Sequence, residues 1–405
     1  MGARPLFDVN EAIDFLLKQK VRVRLNVITG EMEVDGLPSS FSENKLNNFF
    51  IWSYDLIRRD YAVTRQHCDD LFKFLASLSA YNPVLDKLEA IIPDGRDYLT
   101  ELYEIIGLPA DDVLSRSLIC KWALQSVALL YNNLNHPTSA DGVLVFVGGQ
   151  GIGKTSIVRA LGGGSKYCKL GLTVDPRNKD NLISATGAWI VELAELESTL
   201  RGDLQMLKAF LTAESDELRR PYERAATKTP RRTSYIGTVN STDFLIDTTG
   251  NRRFWTIPLT AIDLSRLRQF DGWQFWAQIK AEFDKEKSKG NEDVCFRLTQ
   301  EEQRLLSERN SFHEKALPGE QEVQDVLTTY RNHPLYRTVW TTTSEFMTCY
   351  AELKSFNAAK IGRVLDKLGV ISERRKVNGV VNRLRELPLP KSVAANWQKA
   401  DSSER

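Results

Sequence analysis

A phosphate-binding loop fixes the kind of fold this chain can adopt. Gly148-Gly149-Gln150-Gly151-Ile152-Gly153-Lys154-Thr155 satisfies the full G-x-x-x-x-G-K-[ST] pattern. Such a loop works only between a buried strand and a helix N-terminus, and the flanks supply both. Val143-Leu144-Val145-Phe146-Val147 is a short apolar run of the kind a buried parallel strand needs, and Ser156 to Leu161 continues with helical character. Glycines allow the backbone to turn its N–H groups toward phosphates, and the helix end adds partial positive charge. Lys154 is expected to meet the β- and γ-phosphates of ATP, and the Thr155 hydroxyl to meet Mg²⁺, with Ser156 beginning the helix.

Further along, short apolar runs alternate with polar helical ones. Trp189-Ile190-Val191 and Tyr235-Ile236-Gly237-Thr238-Val239 read as further strands, so the fold class is α/β around a P-loop nucleotide-binding sheet. Glu192 follows the first run and Glu195 comes three residues later. One carboxylate can hold the magnesium shell while the other orients the attacking water. Glu192 is assigned chiefly to magnesium and Glu195 to water, with the roles exchangeable. Asn240, at the tip of the second run, can contact the γ-phosphate. Either Arg252 or Arg253 can stabilise the charge that develops in transfer.

The 405 residues allow two or three domains. Residues 1–97 are expected to form an accessory or collar domain containing a hairpin at Val21 to Val34. Residues 98–310 carry the ATPase and its preceding helices, 322–391 a winged-helix-like unit, and 392–405 a loose tail. Residues 264 to 308 read as helical, with Trp273 and Trp276 in the core. The five cysteines contain no C-x-x-C pair and the four histidines do not cluster, which argues for reduced thiols and against a zinc ribbon. No run is read as long enough to cross a bilayer, and no signal-like segment opens the chain, so a cytoplasmic protein without membrane contact is expected.

Net charge is only +1, so any case for nucleic acid rests on local distribution. Residues 219–232 hold six basic residues and one acid, in two extended arms around an Ala225-Ala226-Thr227 tip. Arg219, Arg220, Arg224 and Lys228 are the candidate DNA contacts, with Arg224 and Lys228 nearest the tip. Some arginines of this run have Glu214, Asp216 or Glu217 as alternative partners. Residues 351–391 hold ten basic residues and four acids. There Lys360, Arg363 and Lys367 share a helix face, and Arg374, Arg375 and Lys376 precede the Asn378-Gly379 turn of a wing. Protein contacts are the alternative use of such a unit.

The segments around Lys179-Asp180, Trp189 to Leu196, Pro230 to Asn240 and Gly250-Asn251-Arg252-Arg253-Phe254-Trp255 together resemble the virulence-associated E family of phages, plasmids and mobile elements, over about residues 80 to 265. That family resembles superfamily 3 replicative helicases, which are ring-forming AAA+ ATPases. The resemblance implies Lys154 and Thr155 as the Walker A pair, Glu192 with Glu195 as the Walker B acids, and Asn240 as sensor 1. It implies Arg252 or Arg253 as a finger acting on a neighbouring subunit, and the 219–232 hairpin as a pore loop on single-stranded DNA. Here Walker B reads E-x-x-E where many such helicases carry adjacent acids. The implied partners are further copies in a homo-oligomeric, hexameric ring, forked or single-stranded DNA, an origin duplex and a separate primase, in a bacterial host. The alternative is an origin-binding, regulatory or defence NTPase that binds nucleic acid without processive unwinding.

Overall fold

Five parallel strands form the centre of the larger of two compact units, 1–244 with 250–312, in the computed structural model. The structure describes residues 4–402 apart from 42, 165, 201–203, 220–225, 241–242, 246–249, 315–316 and 378–379. The core strands are β1 (Val143–Val147), β2 (Cys168–Leu172), β3 (Ile190–Ala194), β4 (Ser234–Val239) and β5 (Phe254–Pro258). They lie in the order β2-β3-β4-β1-β5. Every residue of β1 and β4 is buried, which accounts for their unbroken apolar character.

Strand β4 stands between the loop-bearing β1 and the acid-bearing β3. Val147 is level with Val239 on one side and Pro258 on the other, so β1, β4 and β5 end together. Chemistry read from three distant stretches of sequence therefore meets at one edge.

The helix Val113–Ala128 packs under this sheet and is buried on most of its circumference. Three of its polar side chains bond the strands or the residue leading into one. Trp122 Nε1 donates to the Tyr235 carbonyl at 3.0 Å, Gln125 Nε2 to the Gly142 carbonyl at 3.0 Å, and Ser126 to the Ser234 hydroxyl at 2.8 Å. By length and composition alone, Val113–Tyr131 qualifies as a bilayer-spanning helix, which the sequence reading did not recognise. Burial within the unit accounts for its apolar surface. Trp189, Trp273 and Trp276 form a ring cluster against the same core, with Trp189 and Trp276 centroids 4.5 Å apart.

The N-terminal segment has its own buried cluster. A hairpin (Arg22–Asn26 with Glu31–Asp35) and the helices Val9–Gln19, Lys45–Asp60 and Arg65–Leu78 enclose Phe7, Val23, Phe49 and Phe72. Val84 and Leu88, of the helix Pro83–Ala90, belong instead to the core around the sheet.

The second unit, 245–249 with 313–405, is built on three antiparallel strands, Tyr336–Thr342, Ser372–Val377 and Val380–Pro390, with the last in the middle. The helices Glu320–Tyr330, Thr343–Thr348 and Ala358–Lys367 cover its apolar cluster. The segment expected as a loose tail is instead the helix Lys391–Ser402. Ala394 is buried in that cluster, and Val393 and Trp397 pack against it, so this segment has apolar area to dock.

Within the larger unit, the helix Gln300–Ser311 is tied to the core helix through Glu302, which accepts from Lys121 at 2.5 Å and from the Ser117 hydroxyl. Burial alone would push this carboxyl up, but the hydrogen bonds from Lys121, Ser117 and Thr299 outweigh it and hold its pKa at about 2. A depressed carboxylate stabilises the fold above its unfolded pKa, and that contribution disappears as pH falls through the folded value. Acid titration of stability should therefore show a loss between pH about 4.5 and about 2, and Glu302→Gln should remove that part of the curve. Superimposable acid curves for the two proteins would contradict this.

Candidate nucleotide site

The loop after β1 takes its shape from glycines at specific contacts. Gly148 passes so close to Leu259 that an added Cβ would lie 2.4 Å from its carbonyl oxygen, and the Gly148 N–H donates to the Val239 carbonyl at 3.2 Å. Gly151 and Gly153 have φ of +82° and +103°, the region that L side chains avoid. A Cβ on Gly153 would also meet Leu264 at 2.5 Å. Gly149 and Gln150 are exposed and Ile152 is half-buried against the core. The helix Lys154–Leu161 starts at Gly153 with no side-chain cap, which leaves its first N–H groups facing the loop.

Lys154 is buried. Its ammonium donates to the Gly148 carbonyl at 2.6 Å, the Gly149 carbonyl at 2.8 Å and Asn240 Oδ1 at 2.9 Å. Asn240 reaches it because β4 ends level with β1. Thr155 Oγ1 donates to Glu192 Oε1 at 2.7 Å. Glu192 is fully buried in β3 and also accepts from Thr238 Oγ1 at 3.1 Å and the Gly171 N–H at 3.2 Å. Its hydrogen-bond donors among the described residues are all neutral. A buried carboxylate without a cation is costly, and here it sits beside a hydroxyl at a phosphate loop, so Thr155 and Glu192 fit a magnesium ion. Nearby, burial pushes the Cys168 thiol up to about 12, with the Glu192 charge adding to it.

Glu195 follows the end of β3 with φ of +48°, a conformation uncommon outside glycine, and is exposed. The structure thus groups Lys154, Thr155, Glu192 and Asn240 at the carboxyl edge of the sheet. Arg252 and Arg253 are not among them. They form a short 3₁₀ turn before β5, with Arg252 exposed and Arg253 half-buried near Gly250 and Lys208. Because β5 is parallel to β1, that turn is a strand length, about 16 Å, from the phosphate loop of its own chain.

The basic segment forms a hairpin, Ser215–Leu218 with Thr227–Pro230, in which Leu218 is paired with Thr227. Thr227 therefore belongs to the returning arm and not to the tip. Arg219 and Lys228 are exposed, while Arg220 and Arg224 lie outside the described residues. Arg231 turns inward. It is 2% exposed, pairs with Asp216 and donates to the Phe210 carbonyl and the Tyr235 hydroxyl, each at 3.0 Å. In the second unit Lys360, Arg363, Arg374 and Lys376 are exposed. Lys367 pairs with Glu320 at 2.9 Å, and Arg375 pairs with Glu373 and lies over the Trp340 ring.

Sequence reasoning missed Thr238 and Gly171, the two further donors to Glu192. A threonine inside the apolar run Tyr235-Ile236-Gly237-Thr238-Val239 was the available signal for the first.

A glycine loop entering a helix, a buried carboxylate one strand removed and an amide between them define a P-loop nucleotide-binding core. Residues 85–315, more than half of the chain, match the virulence-associated protein E-like domain. The chain belongs to that family. A comparison with curated proteins gives no match. Similar solved structures include the apo C-terminal region of NrS-1, with 14% identity over 94% of this chain and 99% of that one and a TM-score of 0.45. They also include JCV helicase with a bound small molecule, with 13% identity over 77% and 99% and a TM-score of 0.32.

Glu192→Gln keeps the shape of the site and removes its charge. Titration of a fluorescent ATP analogue should give unchanged affinity in EDTA, and magnesium should tighten binding roughly tenfold less than in wild type. Equal tightening by magnesium in both proteins would remove Glu192 from the metal shell.

Proposed function

We propose that this chain is an ATP-driven DNA translocase and helicase serving replication of a phage or mobile element, and that it works in the host cytoplasm as a ring of six copies. One observation carries the reading. The phosphate-binding cluster occupies one edge of the sheet, while the basic hairpin and the Arg252-Arg253 turn lead into strands at the other edge. An arginine that far from its own loop is useless in cis and suited to a neighbour's nucleotide, which supports an AAA+ ring with ATP between subunits.

Lys154 exchanges its two loop carbonyls and Asn240 for the β- and γ-phosphates. Asn240, released from Lys154, turns to the γ-phosphate. Thr155 and Glu192 would hold magnesium, which would supply positive charge to the phosphates. Glu195, exposed beyond β3, is the candidate to orient water. Arg252 or Arg253 of the adjacent copy stabilises the charge developing in transfer. Arg219 and Lys228, with Arg220 and Arg224 between them in sequence, hold the phosphates of one strand without reading its bases.

The order helix, strand, helix, helix, strand, strand in the second unit, with its last strand central, supports the winged-helix reading. Lys360 and Arg363 on one helix, with Arg374 and Lys376 on the wing, are its exposed contacts for duplex such as an origin. Lys367 and Arg375 have protein partners to give up first.

On forked DNA the protein should separate strands with ATP and magnesium, and Lys154→Ala should abolish this while the fold, followed by circular dichroism, persists. ATP hydrolysis without strand separation under varied loading conditions would move the assignment to a regulatory NTPase. Arg219→Ala with Lys228→Ala should weaken single-strand binding and reduce the slope of log affinity against log salt by roughly 1.4, with nucleotide affinity unchanged. An unaltered slope would remove the hairpin from the DNA path.

A further inference from the structure

A cavity of about 220 Å³ opens between the turn of the N-terminal hairpin and the foot of the basic hairpin, walled by Val27, Ile28, Thr229, Pro230 and Arg232 among others. One side is apolar. The other carries the Arg232 guanidinium, which no described carboxylate pairs. Arg232 Nη2 donates to the Asn132 carbonyl at 2.9 Å, whereas Nε is buried and has no hydrogen-bond partner among the described residues. Asp216 also lines the cavity, but both its oxygens are engaged by Arg231.

The adjacent arginines therefore contrast. Arg231 has a carboxylate, a carbonyl and a hydroxyl around its guanidinium, while Arg232 has one carbonyl. Burial accordingly pulls the Arg232 pKa below its ordinary value. An arginine does not shed its proton, so the charge remains in a desolvated place with a donor unused. A guanidinium in that condition accepts an oxyanion readily, because the ligand supplies both the charge and the lone pairs.

We propose that this cavity binds a small organic oxyanion, a phosphate monoester or carboxylate, through the Arg232 guanidinium, with the ligand's apolar part against Val27, Ile28 and Pro230. The volume exceeds what an inorganic oxyanion fills, and the apolar wall rewards a ligand with a hydrocarbon or ring portion. Thr229 and Pro230 belong to the returning arm of the basic hairpin, so the occupant braces that arm against the N-terminal turn.

The test is calorimetric titration of the full chain with its nucleotide loop saturated by a nonhydrolysable triphosphate and magnesium. Phenyl phosphate, benzoate and inorganic phosphate are the probes. Wild type should bind phenyl phosphate or benzoate saturably and more tightly than inorganic phosphate, and the stronger of the two identifies the ligand's acid group. Arg232→Gln should weaken that binding at least tenfold. Thr229→Trp, which fills the cavity and leaves Arg232 in place, should do the same and decides the matter if Arg232→Gln does not fold. Absence of saturable binding to wild type, or wild-type affinity in Thr229→Trp, overturns the proposal. Neither result depends on whether the chain hydrolyses ATP or unwinds DNA.

Discussion

Parallel pairing of β1 with a neighbour on each side is the constraint from which the site follows. Five residues, Val143 to Val147, are hydrogen-bonded to β4 and β5 and buried on both faces, so their end point is fixed from every direction. The Gly148 N–H continues the ladder one residue beyond the strand by bonding the Val239 carbonyl, and the loop therefore departs from a rigid base. Had β4 been offset by one residue, Asn240 would face away from Lys154 and Thr238 away from Glu192, because alternate side chains point to opposite faces.

The cluster at that edge is held by dipoles. The Lys154 ammonium donates to two carbonyls of its own loop and to Asn240. Glu192 accepts from neutral donors on three different elements. Among the described residues no cation donates to that carboxylate, and a buried carboxylate without one is costly. In the proposed function a divalent ion beside Thr155 would supply that charge.

Much of this was legible because it is local. The β1 run and the glycine pattern depend on residues within a few positions of one another, and the N-terminal hairpin and the strand β4 stand close to where periodicity puts them. What was not legible depends on distant partners. Strand β2 contains Lys169 and Gly171 and is only partly buried at a sheet edge, so it lacks the apolar run of a central strand. Strand β5 ends on a proline and follows two arginines, which obscured it until its pairing with β1 was seen. The alternative that an arginine of the basic run pairs with Asp216 is realised at Arg231, but which arginine does so depends on the pairing of the two arms. The helix Lys391–Ser402 was missed for the same reason, since its alanine and tryptophan acquire meaning only against a cluster assembled from the rest of its unit.

Strand β4 has a property that no single motif conveys. It is entered from the basic hairpin through Arg231 and left at Asn240, six strand residues later. Arg231, clamped by Asp216, the Phe210 carbonyl and the Tyr235 hydroxyl, makes the foot of the hairpin rigid with respect to the strand, and Asn240 bonds Lys154 at the other end. In the proposed function this buried strand joins the amide that would meet the γ-phosphate to the hairpin whose basic residues would grip DNA.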